Sequence, residues 1–348
     1  ANVAFTGNGS SVTNAVSFAN DGTLVLGTSG GTQTFNGGLN TFDTGVGTVT
    51  LNGTIASSND AITFDAVTLG SATTIDTNAS SNAGDITFQG AITGASNALT
   101  LSTGDNISGA DTTVAGAISG VTTLTLADVG GSALFIGNVA VTDLTVGNTV
   151  ANIDFRGNGT FTNAVTFSND GTLTLGNTSG DTFTFNGGLT ENTSGVVTLS
   201  GSVNASNDAI SFGAVTLSAD VIIDTNASAN SADITIGAVT GGSNNLTLST
   251  GNNIAGADIT ASGAISGLGN LTLADVGGTA TFSNNVAAAQ VSADNTVANI
   301  TFTGGTNTFS GAASFANDGT LTFGNATSDS FTFNGGLTTS SVAGTVTL

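Results

Sequence analysis

Along most of the chain apolar residues alternate with small polar ones for a few positions, then give way to Gly, Asn, Asp or Ser. Residues 172–175 read Thr-Leu-Thr-Leu and residues 182–185 Thr-Phe-Thr-Phe; 99–101, 124–126, 153–155 and 197–199 follow the same rule. A period of two puts Leu, Val, Ile and Phe on one face of an extended segment and Thr, Ser, Asn or Asp on the other. The inward set, with Leu173, Leu175, Phe183 and Phe185 as its clearest members, is the predicted core. Outward Thr is β-branched, holds the strand conformation and can hydrogen-bond to its neighbours. Asn169-Asp170-Gly171 and Asn186-Gly187-Gly188 read as corners, where left-handed backbone angles favour Gly and Asn.

The same text returns at long range. ANVAFTGNG starts at Ala1, ANIDFRGNG at Ala151 and ANITFTGG at Ala298, so the starts are 150 and 147 residues apart. SNDAITFDAVTL (58–69) answers SNDAISFGAVTL (206–217), and LTLADVGG (124–131) answers the identical 271–278. The chain therefore reads as super-repeats 1–150, 151–297 and a partial 298–348. Offsets between copies slip only in Gly/Asn/Ser-rich stretches, as insertions do when apolar runs are structural and connections lie on the surface. Inside each copy the alternating cores recur at a looser period of about 25 residues, or about six coils per long repeat.

Strands this short cannot make a stable sheet singly. Coiling them so that each turn stacks on the last buries every inward residue and pairs the backbone N–H and C=O groups with neighbouring turns. The predicted fold is all-β: a parallel β-solenoid, or β-helix, with about 25 residues per coil, continuous over residues 1–348.

Composition sharpens this picture. Fifty-one residues are Gly, and Pro, Cys, Met, Trp, Tyr, His and Lys are absent. Gly, Ser and Asn at this level also suit a disordered chain, but 39% of residues are hydrophobic and fall in regular runs. The net charge is −22, with Arg156 the single base and Glu191 the single acid that is not Asp. That balance argues against nucleic acid and against an anionic membrane surface, both of which need Lys or Arg. No apolar run is long enough for a membrane-spanning helix, so no membrane insertion is expected.

Candidate chemistry is sparse. Without His, Cys, Lys or Tyr, catalysis is left to paired carboxylates. The Asp residues are instead duplicated between copies at turn positions: Asp60/Asp208, Asp76/Asp224, Asp85/Asp233 and Asp128/Asp275. A catalytic pair needs one cleft, whereas a repeated turn Asp needs only a corner, so the chain reads as no enzyme. No catalytic, cofactor-binding or metal-ligating residue is assigned, and no cofactor is required. Ca²⁺ is the one ion the corners suggest, because NDG at 20–22, 169–171 and 317–319 and TGDN at 103–106 offer oxygen ligands. Asp21, Asp170 and Asp318 are its candidates. Against it, the tandem Ca²⁺-binding nonapeptide is missing and Asn and Asp populate turns without any metal. Thr-x-Thr pairs such as Thr172/Thr174 do not recur on one face of every coil, which argues against an ice-ordering surface. Asn-x-Ser/Thr triplets at Asn8, Asn52, Asn78, Asn158, Asn204 and Asn226 are what a chain rich in these residues contains by chance.

The tandem TLTL–turn–TFTF–NGG texture, spread over the whole chain, resembles the β-strand-repeat regions of large bacterial surface and secreted proteins, filamentous-haemagglutinin-like exoproteins and autotransporter passengers among them. The resemblance implies a right-handed parallel β-helix at the bacterial cell surface or outside the cell, acting as a stalk, adhesin or fibre. The closeness of the copies to one another favours a structural rod or self-assembling fibre; the alternative is the shaft of an adhesin whose binding tip lies outside this segment. The first residue falls at a repeat boundary and GTVTL at 344–348 matches 47–51 inside the first copy. The expected partner is the chain itself, by end-to-end stacking or as part of a longer array; a host or surface glycan is an open alternative that the residues do not identify.

Overall fold

The computed structural model describes residues 1–348 except 43–44, 82–83, 105–106, 229–231 and 252–253. Among the described residues every ordered element is a strand and every pairing between strands is parallel. The strands stack as a β-solenoid of about 15 turns, about 22 residues apart. The chain divides into two compact units, residues 1–174 with 193–195 and residues 175–192 with 196–348.

In the first unit each turn contributes three strand stretches, so the stack has three rows. Val16, Leu39, Ile62, Ile86, Thr112, Ala133 and Ile153 follow one another up the first row. Val3, Leu24, Val49, Val67, Ile92, Ile118 and Val139 make the second. Gln33, Ile55, Ile75, Leu101, Leu126 and Val146 make the third. Alternation explains the registration: a one-residue slip would turn each inward Leu or Ile to solvent and lose about 1.5–3 kcal/mol per side chain. Thr54, Thr74, Thr100, Thr125 and Thr145 form the matching outward ladder of the third row.

The second unit repeats the plan. Leu189, Ile210, Ile234, Ile259, Ala280, Ile300, Leu321 and Val346 form one row. Val197, Val215, Val239, Ile265 and Val286 form another, which Phe309 and Phe333 continue beside Ala288. Phe183, Val203, Ile223, Leu248, Leu273 and Ala293 form the last, which runs on through Phe315.

Phenylalanines stack along the rows inside both units. Phe135 and Phe155 lie with ring centroids 4.7 Å apart and planes 15° apart, and their repeat equivalents Phe282 and Phe302 at 4.8 Å and 14°. All four rings are buried, as are Leu173, Leu175, Phe183 and Phe185.

Two expectations are corrected. Turns average about 22 residues rather than about 25, because tight connections shorten some of them: Val49 stacks on Val67 18 residues on, although Val67 stacks on Ile92 25 residues on. The Gly of the NDG corner is not there for a left-handed angle. A Cβ on Gly171 would lie 2.6 Å from the Ala151 carbonyl oxygen, and on Gly319 2.7 Å from that of Ala298, so the position needs the missing side chain itself. Left-handed glycine does appear at the other corner, at Gly38, Gly188 and Gly336 with φ of 87°, 88° and 91°.

Candidate functional site

The NDG corners are the sites to which the sequence points, and the backbone splits their two polar side chains. Asn169 and Asn317 turn inward and are buried, while Asp170 and Asp318 turn outward. Asn169 Nδ2 donates to the carbonyls of Ala151 and Thr172, both at 3.0 Å. Asn317 does the same with Ala298 and Thr320, again at 3.0 Å. Asn20 holds Ala1 at 3.2 Å and Thr23 at 3.1 Å. Each amide thus ties the corner to the turn before it, as a second donor to carbonyls such as Ala151, Thr172, Ala298 and Thr320 that also accept a backbone amide. The Oδ1 atoms of all three are buried without a hydrogen-bond partner, which identifies the donating amide as the working end of the side chain.

The outward acids have different surroundings. Asp21 pairs with the amino group of Ala1, Asp170 accepts from Ser194 Oγ at 3.2 Å, and Asp318 is exposed. Each corner therefore offers one carboxylate, and no group of three or more His, Cys, Asp or Glu able to hold a metal ion occurs among the described residues. Asp105 and Asn106 of the TGDN stretch lie outside the described residues.

Of the duplicated acids, Asp85 and Asp233 accept between turns through their side chains. Asp85 Oδ1 accepts the Asp111 amide at 3.0 Å, and Asp111 Oδ1 accepts the Ser132 amide at 2.7 Å. In the second unit Asp233 holds Asp258 at 2.9 Å and Asp258 holds Thr279 at 2.7 Å. Asp76 and Asp224 each accept the amide two residues on, at 2.9 Å, from Asn78 and Asn226 in left-handed conformation at φ 45°. Asn59 beside Asp60 accepts from Ser80 and Ser81, and Asn207 beside Asp208 from Ser228. Asp128 and Asp275 contribute backbone carbonyls to the hydroxyls of Thr103 and Thr250, at 3.0 and 2.9 Å. Among the described residues these acids are spread along the turns. Arg156 closes a local contact with Asp154 at 2.8 Å.

One functional-looking residue escaped sequence reasoning. Glu191 is only 7% exposed, and its Oε2 accepts the Gly213 amide, one turn on, at 2.9 Å. In the first copy the same two positions hold Thr41, which is buried, and Asp65, whose amide faces Thr41 Oγ1 at 3.4 Å. Both arrangements place one acceptor under one amide and keep one carboxylate per pair. The signal was present in the alignment of the copies, as two differences one turn apart.

Surface concavities are shallow. Ser96, Gly120, Thr122, Val141, Thr142 and Thr160 line one in the first unit. Its counterpart in the second is lined by the repeat-equivalent Ser243, Gly267, Ala288, Ala289 and Thr308. Neither is lined by a titratable side chain. No helix among the described residues is long and apolar enough to cross a membrane. No protein-family model, curated protein or solved structure matches this chain.

Proposed function

We propose that the chain is a structural protein, without enzymatic activity, that forms a β-solenoid rod or self-assembling fibre at the bacterial cell surface or outside the cell. The observation that carries this reading is the use made of the polar residues. The carboxylates of Asp85, Asp111, Asp233 and Asp258 and the amides of Asn169 and Asn317 hold one turn to the next, in the same way in both units. Those polar groups serve the stack itself.

Phe183, Phe185, Leu189 and Val197 are each covered by the following turn and are 0–2% exposed, so a turn of this sequence stacks on another of its kind by parallel pairing. The proposed partner is accordingly a second copy of the chain or further turns of a longer array.

Negative-stain electron microscopy with sedimentation analysis of the purified segment, with and without Ca²⁺, tests the reading. Uniform filaments are expected. Isolated monomeric particles at all concentrations would overturn self-assembly and leave the alternative, an adhesin shaft whose binding tip lies elsewhere. Filaments only with Ca²⁺ would make the outward Asp21, Asp170 and Asp318 bridging ligands.

A further inference from the structure

The sequence repeat and the turn do not keep step. In the first unit Val3 stands in the second row, below Leu24, Val49 and Val67. Its repeat equivalent Ile153 stands in the first row, on Ala133 and Thr112. From Val3 to Ile153 the chain lays down 20 strand stretches, one short of seven full turns of three. The second unit shows the same slip independently. Phe183 lies in the row of Val203 and Ile223, but its equivalent Phe331 pairs with Asn307 in the neighbouring row. Val197 lies in the row of Val215, and its equivalent Val346 lies on Leu321 in the row of Leu189.

We infer that each super-repeat is built to return its surface one row, a third of a turn, out of phase with the repeat before it. The arithmetic agrees with the turn length: six and two-thirds turns of about 22 residues give about 147 residues, the spacing read between the later copies. The surface consequence is visible inside the first unit. Asp21 precedes the strand of Leu24 in the second row, whereas Asp170 precedes Leu173, whose neighbour Thr172 accepts the Ile153 amide of the first row. The outward acid of the corner thus moves to a different edge of the stack with each copy. A partner that recognises a repeat does so one repeat at a time, and three repeats are needed before the same face recurs. A flat lattice or a straight polymer laid along one row meets no two equivalent corners in succession. The inference rests on the fold and not on the proposed self-assembly.

Disulfide trapping tests it, on a chain that has no cysteine of its own. Leu134 and Asp154 are outward-facing partners on adjacent turns of the first row, and Ala140 and Thr160 on adjacent turns of the second. In-register neighbours fall within the Cα separation of about 4.4–6.8 Å that a disulfide spans. Leu134→Cys/Asp154→Cys and Ala140→Cys/Thr160→Cys are expected to close under mild oxidation. A whole-number repeat would instead put residues 152–155 in the second row, so closure of Ala140→Cys/Asp154→Cys in place of Leu134→Cys/Asp154→Cys overturns the inference. Thr87→Cys/Thr113→Cys, also paired in register, is the control. Its failure together with the others would remove the stacked fold itself, and the inference with it.

Discussion

Adjacent residues at one corner should respond in opposite ways to nearly isosteric changes. Asn169 is 1% exposed and donates through Nδ2 to two carbonyls at 3.0 Å. Asn169→Asp keeps the shape but sets an oxygen against both carbonyls. Two hydrogen bonds worth about 0.5–1.5 kcal/mol each are lost, and each carbonyl keeps only its backbone donor, Gly171 or Ile153. A buried, unpaired charge adds to this, so the local cost is about 3–5 kcal/mol. Asp170→Asn, one residue on, retains an oxygen for Ser194 Oγ on an exposed side chain and should change stability by less than about 0.5 kcal/mol. A stacked repeat need not unfold in one step, so amide hydrogen exchange is the suitable assay. The reporters are the Gly171 amide, bonded to the Ala151 carbonyl at 2.8 Å, and the Ile153 amide, bonded to that of Thr172 at 2.9 Å. In Asn169→Asp their protection should fall by at least about a hundredfold, about 2.7 kcal/mol. Protection within tenfold of the parent chain, or an equal loss in Asp170→Asn, would refute the assignment of the inward amide as the tie between turns.

Four further outcomes follow from the same geometry. Gly213→Asp should destabilise by about 1–3 kcal/mol, because its Cβ would sit 3.1 Å from Glu191 Oε2. Adding Glu191→Thr recreates the Thr41/Asp65 arrangement and should recover most of the loss, so purely additive effects in a denaturation double-mutant cycle would contradict the compensated pair. Phe155→Ala removes a ring stacked on Phe135 and edge-on to Phe161 and Phe167, and should cost about 3–5 kcal/mol by denaturation. Gly53→Ala forces a side chain at φ 64°, with its Cβ 2.3 Å from the Thr28 carbonyl oxygen, where the second-row and third-row registers shift; exchange at Thr54 and Ile55 should accelerate more than tenfold. A chelator at fixed ionic strength should leave the protection of the Gly171 amide unchanged, since each corner has one carboxylate, whereas saturable stabilisation by Ca²⁺ would argue for a bound ion.

The inward residues were legible because alternation has only one outcome in a stacked strand: Leu173, Leu175, Phe183 and Phe185 are all fully buried. Parallel stacking followed from strands too short to stand alone. Turn length was less legible, because dividing a repeat of about 150 residues into whole coils presumes a phase that nothing in the text fixes. The pairing of Ile153 with Ala133, away from the row of Val3, and that of Phe331 with Asn307, away from the row of Phe183, show the repeat to be one strand short. The corners were legible as corners, but not which polar residue turns inward. Asn169 and Asp170 are neighbours with similar turn preference, and the path of the backbone decides that the amide faces the carbonyls. Glu191 was passed over as an isolated acid, because its meaning lies in Gly213, 22 residues on and one turn away.

Inter-strand backbone contacts measured by nuclear magnetic resonance test the fold at its centre. The stack predicts contacts linking Ile55 to Ile75, Ile75 to Leu101 and Leu101 to Leu126, all parallel and in register. Antiparallel contacts between strands adjacent in the chain, such as residues 62–64 with 67–69, would contradict it and leave the repeats as a row of hairpins.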